Sequence, residues 1–399
     1  MKLTRCYPAI LCLAVLFDAG CGGNRAPSPT PAVCVPASQP EFSYALTGYG
    51  VSMFTVDSCT GKFTATAPAS VATGYALPQQ GAEQMVVDPL GRFAYVANLV
   101  SNASDLSTIS MYTVNPTTGV LTPTIPATVH TGWFPQGIAI DPLGRFVYTA
   151  NTDDSSISMF AVNQTTGVLT PTTPASVSTL IPGEALSDPG FLTVDPTGRF
   201  LYVSALDSVD ATVSMYTINQ TTGLLTPTSP ATVLTDGNPF QVVVAPSGKF
   251  AYVVNNFAGS GNANAVSQYT VNSATGVLTE NLSSVVAAGN GPTGIAVDPT
   301  SRFAYVINRL DNTVSMFTID PNTGSLTLNS TAADPTATIA TGVEPFRIDF
   351  DPTGKFVYVT NEDSATSIYT VNSDGTLTNA GVTGVATGAL STAIATPSK

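Results

Sequence analysis

The chain has 399 residues, of which 43% are hydrophobic and only 10% are charged, and its formal net charge at pH 7 is −13. So few charges exclude an ordinary disordered chain, and a negative balance without a basic patch excludes a nucleic-acid partner. The 33 glycines and 30 prolines, together with abundant threonine, argue against a helical protein, because all three residue types are poor helix formers.

The first twenty residues have the pattern of a secretory signal peptide. Lys2 and Arg5 supply positive charge, and the apolar run 10–17 is too short to cross a bilayer. Small residues then precede Cys21, an arrangement that resembles the lipidation site of bacterial lipoproteins. We therefore expect residues 1–20 to be removed and Cys21 to carry lipid in the bacterial envelope, in the periplasm or at the cell surface. Cleavage and secretion without an anchor is the alternative.

Residues 21–40 form a segment rich in Pro, Ala and Ser, a composition typical of an extended tether. Cys34 lies in this segment, and Cys59 lies shortly after it. Two cysteines in an oxidising compartment favour a disulfide between Cys34 and Cys59, and two unpaired thiols are the alternative. Residues 41–399 are expected to form one repeat domain.

One sequence pattern recurs six times in residues 41–399. Its first full copy reads Val-Asp-Pro-Leu-Gly-Arg-Phe-Ala-Tyr-Val at 87–96, and consecutive copies are separated by 53, 54, 50, 53 and 53 residues. A fixed period near fifty residues indicates a repeat fold and not a series of separate domains. The copies are centred on Asp88, Asp141, Asp195, Ala245, Asp298 and Asp351, which we call the turn residues.

Each copy is predicted to contain four short strands, which we call A, B, C and D in chain order. Strand A is apolar and ends at Asp-Pro-x-Gly, the residue order of a type I turn. Strand B alternates, as in 146–151, a polar loop leads to strand C, and a turn of the form Asn-x-x-x-Gly leads to strand D. Proline cannot donate a ladder hydrogen bond, so Pro123, Pro171 and Pro227 place strand D at a sheet edge.

Four antiparallel strands per repeat with one outer edge predict an all-β fold, the β-propeller. The two ends of the chain fix the number of blades. Residues 41–66 supply the later strands of a copy without a strand A, while residues 390–399 match strand A and its turn and then stop. We therefore predict seven blades, the last completed by both termini, which hides the edges that an open ring would expose.

The repeated Asp-Pro-x-Gly-Arg-Phe-x-Tyr-Val-x-Asn blade resembles that of YVTN-type propellers and of the lactonase family, which includes cytosolic 6-phosphogluconolactonases. The resemblance covers residues 41–399 and implies a seven-bladed propeller with a cleft on one face. Similar enzymes commonly offer His and Arg side chains where strand A begins, four or five residues before the turn residue. In this chain those positions hold no His, and the charged residues among them are Glu83 and Arg347.

Opening a lactone needs an activated water and a group that stabilises the developing oxyanion. Glu83 as the base and Arg347 as the oxyanion partner are therefore the catalytic candidates. In the alternative interpretation, Glu83 is a solvated loop residue and Arg347 a packed rim side chain. The ligand-binding candidates are the uncharged polar residues at the same positions and the one His–Trp cluster of the sequence: Gln84, Gln136, Gln241, His130 and Trp133.

The loops between strands B and C vary between copies and are acidic, whereas the turn aspartates repeat and are expected to be structural. Carboxylates from several blades could bind Ca²⁺ or a cationic partner, or could form a solvated rim. They are Asp105, Asp153, Asp154, Asp207, Asp210, Asp311, Glu362 and Asp363. No loop has the dense spacing of a calcium site and no Cys/His cluster has zinc spacing, so no metal and no cofactor are predicted.

Three functions are consistent with these residues. The first, favoured by the missing His, is an exported, monomeric propeller that binds a small molecule or an envelope protein through its loop-bearing face and contacts the membrane only through a lipid anchor. The second is an exported lactonase-like hydrolase that opens a sugar or acyl lactone, and its support is the family resemblance. A structural module of the envelope is a third.

Overall fold

The computed structural model describes residues 40–47, 50–73, 82–99, 107–179, 188–206, 211–256, 264–332, 334–363, 365–380, 385–386 and 394–395. Every helix or strand in this part of the chain is a β-strand, so it contains no helix that could cross a membrane. The signal peptide, the tether, Cys21 and Cys34 lie outside the described residues and stay predictions.

The described residues form thirty strands, which pair into seven antiparallel sheets. The strands are β1 (Glu41–Thr47), β2 (Gly50–Val56), β3 (Phe63–Ala72), β4 (Ala82–Val87), β5 (Phe93–Asn98), β6 (Thr108–Val114), β7 (Leu121–His130), β8 (Pro135–Ile140), β9 (Phe146–Asn151), β10 (Ser156–Val162), β11 (Leu169–Ser178), β12 (Asp188–Val194), β13 (Phe200–Leu206), β14 (Thr212–Ile218), β15 (Leu225–Leu234), β16 (Pro239–Val244), β17 (Phe250–Asn255), β18 (Ala265–Val271), β19 (Leu278–Ala287), β20 (Pro292–Val297), β21 (Phe303–Asn308), β22 (Thr313–Ile319), β23 (Leu326–Leu328), β24 (Thr338–Ala340), β25 (Pro345–Phe350), β26 (Phe356–Asn361), β27 (Ala365–Val371), β28 (Leu377–Asn379), β29 (Val385–Ala386) and β30 (Ile394–Ala395).

Each sheet is one blade of a propeller. Blade 1 contains β4–β7, blade 2 β8–β11, blade 3 β12–β15, blade 4 β16–β19, blade 5 β20–β24, blade 6 β25–β29 and blade 7 β30, β1, β2 and β3. Within each blade, the sheet order is the predicted A, B, C, D. In blades 5 and 6, strand D consists of two short pieces that both pair with strand C.

The seventh blade is completed by both ends of the chain. Strand β30 pairs antiparallel with β1, with Tyr44 opposite Ala395 and Ala45 opposite Ile394. Strand β1 then continues to β2 and β3 in the same sheet. The pairing confirms the predicted number of blades and shows that strand A of the last blade comes from the C-terminal end.

The Asp-Pro-x-Gly segments are tight turns that the turn residue organises. Gly144 N donates to Asp141 O at 2.8 Å, and the buried Asp141 carboxylate accepts from the backbone amides of Arg145 and Phe146. The Arg145 guanidinium pairs with the same carboxylate at 2.9 Å and lies 5.2 Å from the centre of the Phe146 ring. These contacts confirm the structural role expected of Asp141 and its equivalents.

Strand D forms the outer edge of the blades, as its prolines predict. Pro123, Pro171 and Pro227 lie in β7, β11 and β15, and in the described residues these strands pair with strand C of their own blade alone. Each of the three is ten residues long, longer than the short strand predicted, because a bulge lets it pair with strand C again beyond the prolines.

Neighbouring blades are joined by one recurring contact, which we call the blade lock. The Phe that begins strand B packs against a glycine of the C–D turn in the next blade, and the Tyr two residues later donates a hydrogen bond to the carbonyl of that glycine. In blade 2, Phe146 and Tyr148 contact Gly223, whose φ is +73° and whose carbonyl lies 2.9 Å from the Tyr148 hydroxyl. Burial raises the pKa of Tyr148 above its ordinary value, so this hydroxyl stays a donor.

The lock recurs at six blade boundaries with hydrogen bonds of 2.8–2.9 Å. The pairs are Tyr44–Gly119, Tyr95–Gly167, Tyr148–Gly223, Tyr202–Gly276, Tyr252–Gly324 and Tyr305–Gly375. At the seventh boundary, Phe356 packs against Gly61 in the same way. There Phe63 stands where other blades have Leu and lies 4.8 Å from the Tyr358 ring centre, and the Tyr358 hydroxyl has no partner among the described residues.

Replacing the lock glycine should destabilise the propeller more than replacing a glycine with the same backbone but free space around it. A Cβ on Gly223 would fall inside 3.0 Å of the Phe146 ring and would require a left-handed Ala, so we expect Gly223→Ala to cost about 2–4 kcal/mol of unfolding free energy. Gly248 has a φ of +68° and nothing within 4 Å of an added Cβ, so Gly248→Ala should cost about 1–2 kcal/mol. Urea unfolding measures both, and equal losses would contradict the steric explanation.

Candidate functional site

The A strands surround the central channel, and most of them carry a bulge at their loop-bearing end. In blades 1, 2, 4, 5 and 6, the register of strand A against strand B shifts by one residue, five positions before the turn residue. Bulges are common beside binding sites because they change the direction of a side chain. The bulged residues are Glu83, Gln136, Phe240, Thr293 and Phe346.

A cavity of about 300 Å³, which we call the axial cavity, lies between β4, β8, β12, β16 and β25. Most of the residues that line it are aliphatic, and Phe191 is the aromatic member. The polar side chains of the wall are Gln84, Thr193, Gln241 and Asp349, and Asp349 is the charged one among the described residues of the wall. A pocket of this size is at the small end of the range for small-molecule sites.

Two of the predicted ligand-binding residues, Gln84 and Gln241, line the axial cavity at equivalent positions of blades 1 and 4. Gln84 Oε1 accepts a hydrogen bond from Ile138 N, and Gln241 Oε1 accepts one from Ile295 N, both at 3.0 Å. Each of these amides belongs to strand A of the next blade, where it faces away from strand B and needs a partner outside the sheet. The glutamines therefore satisfy the inner edge of the neighbouring blade while lining the cavity.

Arg347, one of the two catalytic candidates, crosses the central channel. It lies on β25, yet its Cζ is 4.3 Å from the centre of the Phe191 ring on β12 and 5.9 Å from that of Phe240 on β16. The Phe346 ring covers it from its own strand at 4.5 Å. These three cation–π contacts, together with a hydrogen bond of 3.1 Å from Arg347 Nη1 to Phe346 O, stabilise a residue that is only 7% exposed. Arg347 is not part of the cavity wall, which places its charge among the rings and not against the axial cavity.

A second charged cluster also contacts Phe346. Arg309 bridges Glu344, at 2.7 Å, and Glu362, and its Cζ lies 5.6 Å from the Phe346 ring centre. The Arg309 hydrogen bond holds the pKa of Glu344 below its ordinary value, while burial raises the pKa of Glu362. Phe346 thus contacts two guanidinium groups, those of Arg309 and Arg347, which links the Arg309 cluster to the channel.

The acidic loop residues that the structure describes mostly bind backbone amides. Asp154 Oδ2 accepts from Trp133 N at 2.6 Å, Asp311 Oδ2 from Asn290 N at 2.7 Å and Asp363 Oδ2 from Val343 N at 3.2 Å. Each bond ties the B–C loop to the residues just before strand A of the same blade. No group of three or more His, Cys, Asp or Glu that could hold a metal ion occurs in the described part of the chain. Asp105, Asp207 and Asp210 lie outside it.

His130 and Trp133 lie apart from the axial cavity. His130 lines a second cavity of about 230 Å³ with Asp154, Ser156 and Ser158 of blade 2, and this cavity shares no wall residue with the axial one. Trp133 is 43% exposed and belongs to neither wall. His130 and Trp133 were predicted to bind ligand together with the glutamines, but in the structure they lie apart from Gln84 and Gln241.

The remaining predicted site residues, Gln136, Glu83 and Cys59, do not contribute described side chains to the axial cavity. Gln136 accepts from Thr152 Oγ1 at 3.3 Å and is not in the axial wall. The backbone of Glu83 belongs to β4, but its side chain lies outside the described part, so its role as a base stays a prediction. Cys59 is disulfide-bonded, and its pairing with Cys34 stays a prediction because Cys34 is not described.

Comparison with known proteins decides the family. The family model described as lactonase, a seven-bladed β-propeller, matches residues 48–180, 172–263 and 262–388. The chain belongs to the lactonase family. Membership agrees with the seven blades and with the repeated turn sequence.

Relatives of this lactonase-family chain include 6-phosphogluconolactonases. That of Pectobacterium carotovorum is 34% identical over 89 residues, which is 22% of this chain and 27% of the relative. A solved candidate 6-phosphogluconolactonase from Bacteroides fragilis has a TM-score of 0.71 at 20% identity and covers 92% of this chain and 99% of its own. The periplasmic gluconolactonase of Pseudomonas aeruginosa has a TM-score of 0.69 at 18% identity, covering 90% and 99%. The structural matches show the fold, and the sequence match spans about a quarter of the relative.

Removing the acceptor of Gln241 should weaken the contact between blades 4 and 5. Gln241→Leu leaves the amide of Ile295, a residue 2% exposed, without its partner, so we expect a loss of about 1–3 kcal/mol of unfolding free energy. Gln136→Leu is the matched control, because Gln136 accepts only a long bond from a hydroxyl, and it should change stability by less than about 0.5 kcal/mol. Similar losses in the two variants would show that the Gln241 bond is unimportant.

Removing the Arg309 charge should make the stability of the propeller more sensitive to pH. Arg309→Met leaves Glu344 and Glu362 facing each other, which raises their folded-state pKa values above those of the unfolded chain. The folded variant then binds more protons, so it loses stability as the pH rises. We expect a larger drop in Tm at about pH 7 than at about pH 4. Arg302→Met, which removes a guanidinium that contacts Phe303 and Thr300, should show no such difference.

Proposed function

We propose that this lactonase-family chain binds a small lactone in the axial cavity. The observation that carries the proposal is the position of the cavity, which is lined by strands A of five blades at the centre of the ring. Ligands of propellers and barrels gather where several strands can each contribute one side chain. A volume of about 300 Å³ suits a ligand the size of one sugar ring.

The chemistry of the wall supports a lactone. A lactone presents a carbonyl oxygen and a ring oxygen that accept hydrogen bonds, beside an apolar ring face. The wall supplies amides from Gln84 and Gln241, a hydroxyl from Thr193 and aliphatic surface between them. The alternative partner, an envelope protein, would use the loop-bearing rim, where Trp133, Leu310 and Val343 are 43%, 72% and 55% exposed.

The place of action proposed for this chain is outside the cytoplasm, with Cys21 carrying a lipid anchor. The support is the signal-like segment 1–20 and the small residues before Cys21. The disulfide at Cys59 fits an oxidising compartment, since such bonds are rare in the cytosol of mesophiles. A structural relative, the gluconolactonase of Pseudomonas aeruginosa, is a periplasmic protein.

Hydrolysis of the bound lactone is the second candidate function, and Asp349 is the observation that favours it. Ring opening needs a base that activates water beside the carbonyl carbon. Asp349 Oδ1 accepts from Phe350 N at 2.8 Å, and the carboxylate lies in the cavity wall. In this proposal Asp349 acts as the general base, and Glu83 is the alternative base that the sequence indicates. Arg347, the oxyanion partner that the sequence indicates, lies among three rings outside the cavity wall and takes no part in this proposal.

Filling the axial cavity should abolish lactone binding. Val243 lies in the wall, so Val243→Phe should weaken the binding of D-glucono-1,5-lactone and of alkyl δ-lactones by about tenfold or more, measured by isothermal titration calorimetry. Thr226→Phe, on the exposed outer strand β15, adds the same ring and should leave the affinity unchanged. Absence of binding to the unaltered protein, or equal binding by Val243→Phe, would contradict the proposed site.

The hydrolase proposal predicts that replacing Asp349 lowers the rate of lactone hydrolysis without abolishing lactone binding. Asp349→Asn keeps the shape of the side chain and removes the base, so the rate of acid release from a lactone should fall about 10²–10⁴-fold while the lactone still binds. A pH-stat measures the release against the spontaneous rate. If the unaltered protein releases acid no faster than the buffer, the chain binds lactones without opening them.

A further inference from the structure

The side-chain amides of Gln84 and Gln241 line the axial cavity, and the hydrogen bonds of their oxygens fix the direction in which their amino groups point. Each side-chain oxygen accepts from a backbone amide of the next blade, at 3.0 Å, which settles which end of the amide is oxygen. The Nε2 groups must then point away from that blade. Neither has a hydrogen-bond partner among the described residues, and both residues lie in the cavity wall.

The two amino groups come from blades 1 and 4, so they approach the cavity from different directions. Strands A of blades 2 and 3 lie between them and contribute Ala139, Leu192 and other apolar side chains to the wall. Asp349 on blade 6 supplies the carboxylate of the wall. The cavity thus offers neutral N–H donors on two sides and one anionic acceptor.

This arrangement disfavours a phosphorylated ligand. A phosphate carries close to two negative charges at neutral pH, and a site that binds it normally neutralises that charge with Arg or Lys side chains. The described wall contains no Arg, Lys or His, and its charged member is the carboxylate of Asp349. Arg347 is covered by three phenylalanine rings and is 7% exposed. The net charge of −13 adds a long-range repulsion of the same sign.

We infer that the axial cavity selects an uncharged lactone, whose carbonyl and ring oxygens accept hydrogen bonds from Gln84 Nε2 and Gln241 Nε2, and that it rejects the phosphorylated form. The inference rests on the proposed function and specifies its substrate class. Hydroxyl groups of a sugar lactone donate to Asp349, which a phosphate at the same place would repel. The two glutamines act as specificity-determining residues, because their oxygens are held by the blades and only their donors meet the ligand.

A pair of ligands that differ by one phosphate tests the selection. D-glucono-1,5-lactone and its 6-phosphate are titrated into the unaltered full-length protein in mildly acidic buffer, where both rings open slowly. We expect the phosphate to weaken binding by at least about tenfold. Equal or tighter binding of the phosphorylated lactone would overturn the inference and leave the proposed lactone site in place. Failure of both compounds, together with the alkyl δ-lactones, to bind would overturn the proposed function and this inference with it.

Conversion of the glutamines to glutamate tests the donors. Gln84→Glu and Gln241→Glu keep an oxygen that accepts from Ile138 N or Ile295 N but remove the amino group, so each should weaken binding of glucono-1,5-lactone by about tenfold. Gln136→Glu adds the same charge one position nearer the rim of blade 2, outside the wall, and should leave the affinity unchanged. Thermal unfolding checks that the variants are folded. Unchanged affinity in both wall variants, or an equal loss in Gln136→Glu, would overturn the role of the amino groups.

Discussion

The blade lock is the contact on which the rest of the propeller depends. A blade of four strands cannot bury both faces alone, so each must pack against a neighbour on either side. Phe146 and Tyr148 reach Gly223 of the next blade because that residue has no side chain and adopts a left-handed backbone. Repetition of the lock around the ring sets the position of every strand A, and thereby the width of the channel and the shape of the axial cavity.

Closure of the ring needs the same lock across the chain ends. Phe356 packs against Gly61, so blade 6 meets blade 7 as it would meet any other blade, although the two contacting segments are far apart in sequence. The short pairing of β30 with β1 then supplies the missing strand A. The larger Phe63 at this boundary packs against the Tyr358 ring at a tilted angle, and the usual hydrogen bond is missing among the described residues, which makes this boundary more dependent on apolar packing than the other six.

The sequence predicts the fold closely because each blade repeats the same local signals. The Asp-Pro-x-Gly turn, the alternation of 146–151 and the prolines at the outer edge each specify one strand or turn, and the incomplete copies at the two ends specify the closure. The lengths of the outer strands were underestimated, since the bulge that resumes pairing beyond Pro171 has no local signature. The sequence did not reveal that the side chains of Asn151, the last residue of strand B, and Asp154, in the following loop, form hydrogen bonds with Ser158 and with the amide of Trp133.

The site was predictable only as a set of positions, because its geometry depends on contacts across the ring. The sequence places Gln84, Gln241 and Arg347 four residues before their turn residues. It cannot show that both glutamine oxygens accept hydrogen bonds from the next blade or that Arg347 crosses to Phe191.

A crystal structure of the protein soaked with D-glucono-1,5-lactone tests the proposed lactone site most directly. We expect the lactone in the axial cavity with its oxygens about 3 Å from Gln84 Nε2 and Gln241 Nε2. A lactone bound elsewhere, or turned so that Arg347 and not the glutamines receives its carbonyl, would contradict it.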